Sequence, residues 1–595
     1  MSNFESIYSG ASFLLDPEYS YMGYRIPTRE LGGTTSIQTA NQLKEVNNLL
    51  NQGIKNTEVS VINPEVFEMM PKDHLKEIAR LNKLVGSEST IHAPTLDPSG
   101  FTQQGWSNSN REEVEKQFTN FVERSHDLSP NGNIPVTIHA SVIPGSEMMP
   151  AKGPLIRPEE QGKGEVMQKM IAVDQESGQF IPLERDVMYS HRDAGPIIHT
   201  PEERLEMANS TKWIQAITNL AFYKKEADEI LVPAYSNILA ISPNGKLTRE
   251  QMEENQGDFE KLQRADLFLD NVETSFRSLF EQAAKYPDPE NKKETKQVLD
   301  MIRKEWKDNE KTIQKLRREN PAEIPMIKSN LIDKSLALMR QLGNAPPAQY
   351  RKVEDFAREK ASETLSNVAL NTYKRFGDSS PIISIENPPY GSAISSAEDL
   401  KGLIQDTRKK FSEKLVKEGF SSSEAQDQAK KLIGATWDTS HISMMRKQGF
   451  GKEKIVEETR KIAPFVKHVH LNDNFGSTHT DLPPGKGDLP MSEIMKELEK
   501  AKVKGKKIFE GGGFFQHFQT SPFSYQLEAS GSPMYATGGV SWNQMGGMGN
   551  YYSGQGPVNP GIHHSMYGSG FTTLPTELGG EMPGGASRFS GAPNQ

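Results

Sequence analysis

The sequence predicts an α/β protein: a (β/α)8 TIM barrel with a large, mostly helical insertion between strands 4 and 5 and a Gly-rich C-terminal tail. Three observations predict this fold. Short β-branched runs alternate with amphipathic segments, which is the pattern of parallel β/α units. Eight such runs occur, four before and four after a long helical stretch. In six consecutive runs the predicted strand ends in His, Asp or Glu, as expected where strand ends meet at one mouth of a closed barrel.

The strand candidates divide the chain into four parts. The first half of the barrel, residues 1–145, contains runs at 21–27, 57–63, 89–95 and 134–142. The second half, residues 379–525, contains runs at 381–392, 433–442, 465–474 and 506–514. Residues 146–378 form the predicted hairpin and helical insertion, and residues 526–595 form the tail.

The insertion begins with a predicted hairpin whose turn is Glu176, Ser177 and Gly178. From about residue 201 to residue 376 the spacing is almost wholly helical, with Thr200 as the predicted N-cap of the first helix and Pro201 at its first position. The helix faces are dense in charge, which favours a solvated insertion. A platform for nucleic acid or a protein partner is the alternative.

The tail is rich in Gly, Pro, Ser and aromatic residues, and no lysine follows Lys507. Such a composition buries too little apolar surface to offset the entropy of ordering. We expect the tail to be flexible or to fold only on a protein partner. We also expect the chemistry of the protein to survive its deletion.

The composition narrows the chemistry. The 595 residues carry a net charge of −9, which gives no overall attraction to nucleic acid. The absence of cysteine excludes disulfides and thiolate metal sites, so any metal must be held by His, Asp or Glu. Neither a secretory signal pattern nor an apolar run of membrane length occurs. These features predict a cytoplasmic protein without a membrane partner.

Ionisable residues end six of the predicted strands or follow them closely, and in a closed barrel they would face one another. Buried carboxylates that converge in this way are costly unless a cation neutralises them. A mixture of His and carboxylates suits Zn, Mn or Fe in divalent form. The sequence therefore predicts a metal site built from His92, His139, Glu386, Asp438, His441, His470, His479, Asp481 and Glu510.

Local motifs resemble the endonuclease IV family and the wider xylose-isomerase-like barrels. The similar segments are "IHAP", "TIHAS", "IENPPYGS", "DTSH", "HLND", "PPGKGD" and "IFEGG". The resemblance covers roughly residues 20–145 and 380–515. It leaves out the hairpin, the helical insertion and the tail.

The resemblance implies a centre of two or three Zn²⁺ ions, with Mn²⁺ as the alternative metal, and Glu386 and Glu510 as catalytic residues. The first ion would be bound by His92 and His139, with Glu386 bridging to the second. The second would also be bound by Asp438, His470 and Glu510, and the third by His441, His479 and Asp481.

The third site departs from the family pattern. The family reads Asp-x-His in this loop, whereas this chain reads His479-Thr480-Asp481. His468 lies two residues before His470 and therefore on the same side of its strand. It is either a spare ligand or a packing residue inside the barrel.

Three functions are compatible with these residues. An endonuclease IV-like enzyme would hydrolyse a phosphodiester of DNA at an abasic site. A sugar isomerase or epimerase would act on a small sugar and need only Glu386, Asp438, His470 and Glu510 around one ion. A non-catalytic scaffold would bind partners through the insertion or the tail. The presence of His92, His139 and His441 favours the endonuclease.

Overall fold

The chain forms two compact units in the computed structural model, which describes residues 22–129, 132–189, 195–242, 248–511, 514, 517–518, 522–530, 581–582 and 586–587. One unit combines Met1–Gln168 with Val353–Gln595, and the other is Lys169–Lys352. The second lies within the predicted insertion. Most of the predicted tail lies outside the described residues, so its flexibility stays a prediction.

Eight parallel strands close the first unit into a barrel, which confirms the predicted (β/α)8 fold. Each strand pairs with its neighbours in chain order, and β8 pairs with β1 to complete the circle. The strands are β1 Leu31–Thr34, β2 Asn56–Ser60, β3 Glu88–His92, β4 Pro135–His139, β5 Ile382–Glu386, β6 Ile433–Asp438, β7 Val466–His470 and β8 Lys507–Phe509.

Helices alternate with the barrel strands and form the outer layer of the barrel. In chain order they are Gln42–Asn51, Pro64–Met69, Lys72–Val85, Asn108–Ser125, Val353–Phe376, Ala397–Lys417, Ser422–Leu432, Thr439–Ser443, Lys452–Ile462, Met491–Lys500 and Phe523–Ala529. Their apolar faces pack on the strands, and Trp437 and Phe509 are among the largest side chains they enclose. Among the described residues, no helix combines the length and the apolar character needed to cross a bilayer.

The first strand was predicted in the wrong place. Residues 21–27 were expected to form it, but β1 is Leu31–Thr34, which reads Leu-Gly-Gly-Thr. Glycine is disfavoured in strands, and the segment lacks a β-branched run, so propensity does not reveal it. The structure supplies the reason for the glycine. A Cβ on Gly32 would lie 2.3 Å from the Asn56 carbonyl oxygen and 2.5 Å from Ile508 Cδ1.

Replacing Gly32 with Ala is therefore expected to destabilise the barrel by about 1–3 kcal/mol, because backbone and core atoms must move to admit the methyl group. Chemical denaturation followed by circular dichroism measures the change. Gly164→Ala is the matched control, since a Cβ there meets nothing within 4 Å. Equal losses in the two variants would contradict the steric explanation.

The second unit is mainly helical, as predicted. Its helices are Pro201–Ile241, Arg249–Glu254, Gln256–Lys285, Lys292–Glu319 and Ile324–Gln341. Thr200 caps the first helix as expected, because its side chain accepts a hydrogen bond from the Glu203 amide. The predicted hairpin is also present, since Glu165–Asp174 pairs antiparallel with Phe180–Glu184. Two further short strands, Asp186–Tyr189 and Pro196–His199, pair with each other.

The interior of the barrel is polar where β4, β5 and β6 meet. Thr436 donates a hydrogen bond to Ser384 at 2.7 Å, and its hydroxyl lies 3.1 Å from that of Thr137. All three residues are fully buried. Hydroxyl groups that satisfy one another can occupy a core without the penalty of an unpaired polar group. Each of these three residues lies two positions before the ionisable residue at the end of its strand.

Candidate metal centre

The carboxyl ends of the barrel strands bring most of the predicted ligands together. His92, His139, Glu386, Asp438 and His470 are the last residues of β3, β4, β5, β6 and β7. Adjacent strands align these ends, because Glu386 pairs with His139 and Asp438 pairs with His470. Glu510 directly follows β8 and completes the ring.

One group of donors forms around a single oxygen of Glu386. His92 Nε2 lies 3.0 Å and His139 Nε2 lies 3.3 Å from Oε2 of Glu386. His92 Nδ1 lies 2.8 Å from the Ala93 carbonyl oxygen, which can only accept, so Nδ1 carries the hydrogen of the neutral ring. In the neutral ring the lone pair of Nε2 therefore faces a carboxylate, so either a proton on Nε2 or a bound cation must lie between them.

A second group forms around the other oxygen of Glu386. His470 Nδ1 lies 2.6 Å from Oε1 of Glu386, 3.2 Å from Oε2 of Glu510 and 3.8 Å from Oδ2 of Asp438. Each of these four residues offers a donor atom within 4.8 Å of the others. Glu386 thus presents one oxygen to each group, which is the arrangement expected of a bridging ligand.

Burial makes this cluster of carboxylates costly without a cation. Glu386 and Asp438 are fully buried, whereas the Glu510 side chain is 16% exposed. Burial alone would raise the pKa of Glu386, but the His470 and His139 imidazoles outweigh it and hold that pKa well below its usual range. Burial, reinforced by Glu510 and Glu386, raises the pKa of Asp438.

The first group also holds a proton where a metal ion would bind. Burial lowers the pKa of His92, but its contact with Glu386 prevails and raises that pKa to about 9. A metal ion needs the neutral imidazole, so binding must displace this proton. Nitrogen and oxygen donors without sulfur suit Zn²⁺ or Mn²⁺.

The predicted third group is looser than the other two. His441 Nε2 lies 2.8 Å from His479 Nε2, and His479 Nε2 lies 3.9 Å from Oδ1 of Asp481. The His441 Nδ1 atom faces the Asn387 carbonyl oxygen at 2.7 Å, so the Nε2 lone pair points to His479. Two imidazole nitrogens at this distance need a shared proton or a cation.

The compact donor groups among the described residues do not include this third set. The His479 side chain is 46% exposed, and Ser440 donates a hydrogen bond to Asp481 at 3.0 Å. The exchange of His and Asp in the loop therefore leaves both residues at the mouth, with His479 the nearer to His441.

The amides that support this site, and one buried acid, were missed in the sequence. Asn472 donates hydrogen bonds to Asp438 at 2.7 Å and to Glu510 at 3.2 Å. Asn387 exchanges two hydrogen bonds with the Asp438 backbone. Glu58 lies inside β2 and contacts both His468 and His470. A lone carboxylate within the run "TEVSV" was the available signal.

Elemental analysis of the purified protein is expected to find at least two divalent ions per chain, since the first two groups are compact and share Glu386. The looser third group should bind more weakly. His479→Ala should consequently leave two tightly held ions in place. A single tightly held ion in the wild-type protein would contradict the bridged arrangement.

The fold and the strand-end residues define the class: a (β/α)8 barrel with a His and carboxylate cluster at its mouth. Residues 391–513 match the family of xylose isomerase-like TIM barrels. The match confirms the expected resemblance to these barrels within the second half of the barrel and contains six of the nine predicted ligands. Those six are Asp438, His441, His470, His479, Asp481 and Glu510.

Among solved structures, the chain is similar to a D-tagatose 3-epimerase-like protein, with 11% identity and a TM-score of 0.35. The alignment covers 81% of this chain and 91% of that chain. No curated protein matches the chain.

Proposed function

We propose that this protein is a metal-dependent phosphodiester hydrolase that resembles endonuclease IV and cleaves DNA at abasic sites. One observation supports this proposal above the others: Oε2 of Glu386 faces His92 and His139, whereas Oε1 faces His470. A sugar isomerase or epimerase around one ion would need only the group of His470. It would leave His92 and His139 without a purpose at the opposite oxygen.

Divalent ions bound to such groups would supply Lewis acidity and activate water for attack on phosphorus. The residues of the chain set where this happens. The Ala93 carbonyl fixes the His92 ring through Nδ1, and Asn472 fixes the carboxylates of Asp438 and Glu510. Glu510 is the most exposed carboxylate of the second group, so it is the one best placed to contact a substrate and exchange a proton with it.

The test uses the full-length protein loaded with Zn²⁺ or Mn²⁺ and a labelled duplex that contains one stable abasic analogue. We expect incision on the 5′ side of the lesion, and no incision of the matched intact duplex. Product lengths on a denaturing gel locate the cut. A metal-loaded protein that leaves the abasic strand whole would overturn the proposal.

The sugar enzyme is the second candidate, because Glu386, Asp438, His470 and Glu510 form a complete donor set for one ion. Such an enzyme would convert a ketose into its epimer or an aldose, and one that works by proton transfer would also exchange a carbon-bound hydrogen with solvent. Incubation of the metal-loaded protein with ketohexoses in deuterated water, followed by NMR, detects both the new sugar and the exchange. A new sugar without DNA cleavage would favour this candidate, and neither activity would favour a binding or scaffold role.

A further inference from the structure

Glu58 is a fully buried carboxylate in β2, one layer below the ligands at the mouth. The register places it beside Thr90, whereas Ser60, two residues later, pairs with His92 at the mouth. Glu58 is therefore too deep to belong to the first ligand group. Its surroundings must explain why a charge is buried there.

The two oxygens of Glu58 have different partners. Oε2 accepts a hydrogen bond from Thr90 at 2.7 Å and lies 2.8 Å from His468 Nε2. Oε1 has no hydrogen bond of good geometry but lies 2.9 Å from His470 Nε2. One oxygen is thus anchored by two residues, and the other is directed at His470.

His470 lies between two sets of carboxylates. Its Nδ1 faces Glu386 and Glu510 in the second donor group, and its Nε2 faces Glu58. A histidine that binds a metal through one nitrogen usually donates its other N–H to a carboxylate, which fixes both its tautomer and its orientation. Glu58 is the carboxylate in that position here.

We propose that Glu58 is a positioning residue that holds His470 through Nε2 and directs Nδ1 to the metal, while His468 and Thr90 hold Glu58. The inference rests on the proposed metal centre. It assigns a role to His468, whose Nε2 contacts Glu58 and whose ring packs edge-on against His470. The inference also explains why a barrel interior carries a Glu and two His at zero exposure.

Glu58, His468 and His470 are also close enough to hold an ion themselves. Two features favour positioning. The hydroxyl of Thr90 already occupies Oε2 as a donor, and His470 already presents Nδ1 to the second group. A ligand role and a positioning role predict different metal counts, so they can be separated.

The experiment compares wild type with Glu58→Gln, which keeps the shape and removes the charge. Metal affinity is measured by competition with a chromogenic chelator, the ion count by elemental analysis, and the coordination by the visible spectrum of the Co²⁺-loaded protein. We expect affinity at the second group to fall by about 10- to 100-fold, with an unchanged ion count at saturation and a shifted Co²⁺ spectrum.

Thr57→Val is the matched control. Thr57 is the preceding residue of β2, is buried, and its hydroxyl lies 2.7 Å from that of Ser89. The control removes one buried hydrogen bond from the same strand without touching His470. Its metal affinity and Co²⁺ spectrum should match those of wild type, even if its stability falls.

Unchanged affinity in Glu58→Gln would overturn the positioning role, and so would the loss of one ion per chain. If that variant does not fold, His468→Gln replaces it. There we expect a smaller loss of affinity, since Oε1 still faces His470 but Oε2 loses an anchor, and unchanged affinity would again count against the role. These readouts need no substrate, so failure of DNA cleavage would overturn only the proposed function. A wild-type protein that binds no metal would overturn both.

Discussion

Glu386→Gln is expected to abolish the proposed hydrolysis of abasic DNA and to release metal from both compact donor groups. The carboxylate offers Oε2 to His92 and His139 and Oε1 to the group of His470. The amide keeps one neutral oxygen and places an NH₂ group where the other oxygen bound. Mutation of a residue that only supports a metal ligand already lowers metal affinity or activity by about 10- to 100-fold. Mutation of a ligand shared by two ions should therefore lower them by more than about 100-fold.

Glu458→Gln is the matched control for this substitution. Glu458 is also buried in the barrel unit, but it accepts a hydrogen bond from the Ala397 amide and pairs with Lys461, neither of which is a candidate ligand. It should keep both its metal and its activity. Cleavage of abasic DNA by Glu386→Gln at the wild-type rate would show that Glu386 does not bridge the ions.

Removal of the metal is expected to destabilise the barrel by several kcal/mol. Without bound cations, Glu386, Asp438 and Glu510 converge with only imidazoles to balance them. A ligand that binds only the native state stabilises it by about 4 kcal/mol when its free concentration is 1,000 times Kd. Chelation should lower the denaturation midpoint by a corresponding amount, and added Zn²⁺ should restore it.

Hydrogen exchange read by mass spectrometry locates this effect. After chelation, β5, β6 and β7 should lose protection, whereas the helix Gln256–Lys285 of the second unit should keep its own. Chelator added to Glu386→Gln serves as the control and should change little. Equal protection of the barrel strands with and without metal would contradict a stabilising role for the ions.

The parts of the fold that could be predicted are those in which β-branched strands alternate regularly with amphipathic helices. Seven barrel strands are β-branched or apolar runs, and six of them end in a candidate ligand or are directly followed by one, where parallel strands must converge. β1 was not predicted because the glycine at position 32 is required by the close approach of Asn56. That contact joins two strands and cannot be read from the local sequence. The role of Glu58 was not predicted because its partners on β7 are distant in sequence. From the sequence alone, a buried carboxylate cannot be distinguished from any other polar residue in a strand.

The third donor group shows a different limit. The motif placed His441, His479 and Asp481 at one mouth, and the structure places them there. Motifs do not encode interatomic distance, however, and the 2.8 Å and 3.9 Å separations determine whether three side chains can share an ion.

Strands β4 and β5 pair over five residues although the whole insertion separates them. Closing so long a loop costs entropy, at about 0.6 kcal/mol for each doubling of length. The strand Tyr350–Lys352, however, pairs antiparallel with Ala172, Val173 and Asp174. The last residues of the second unit therefore lie beside residues near its beginning. Once these two strands have paired, the loop that must still be closed between β4 and β5 is effectively short. Barrel closure should therefore follow the folding of the insertion, and refolding rates should respond to mutations in these two paired strands.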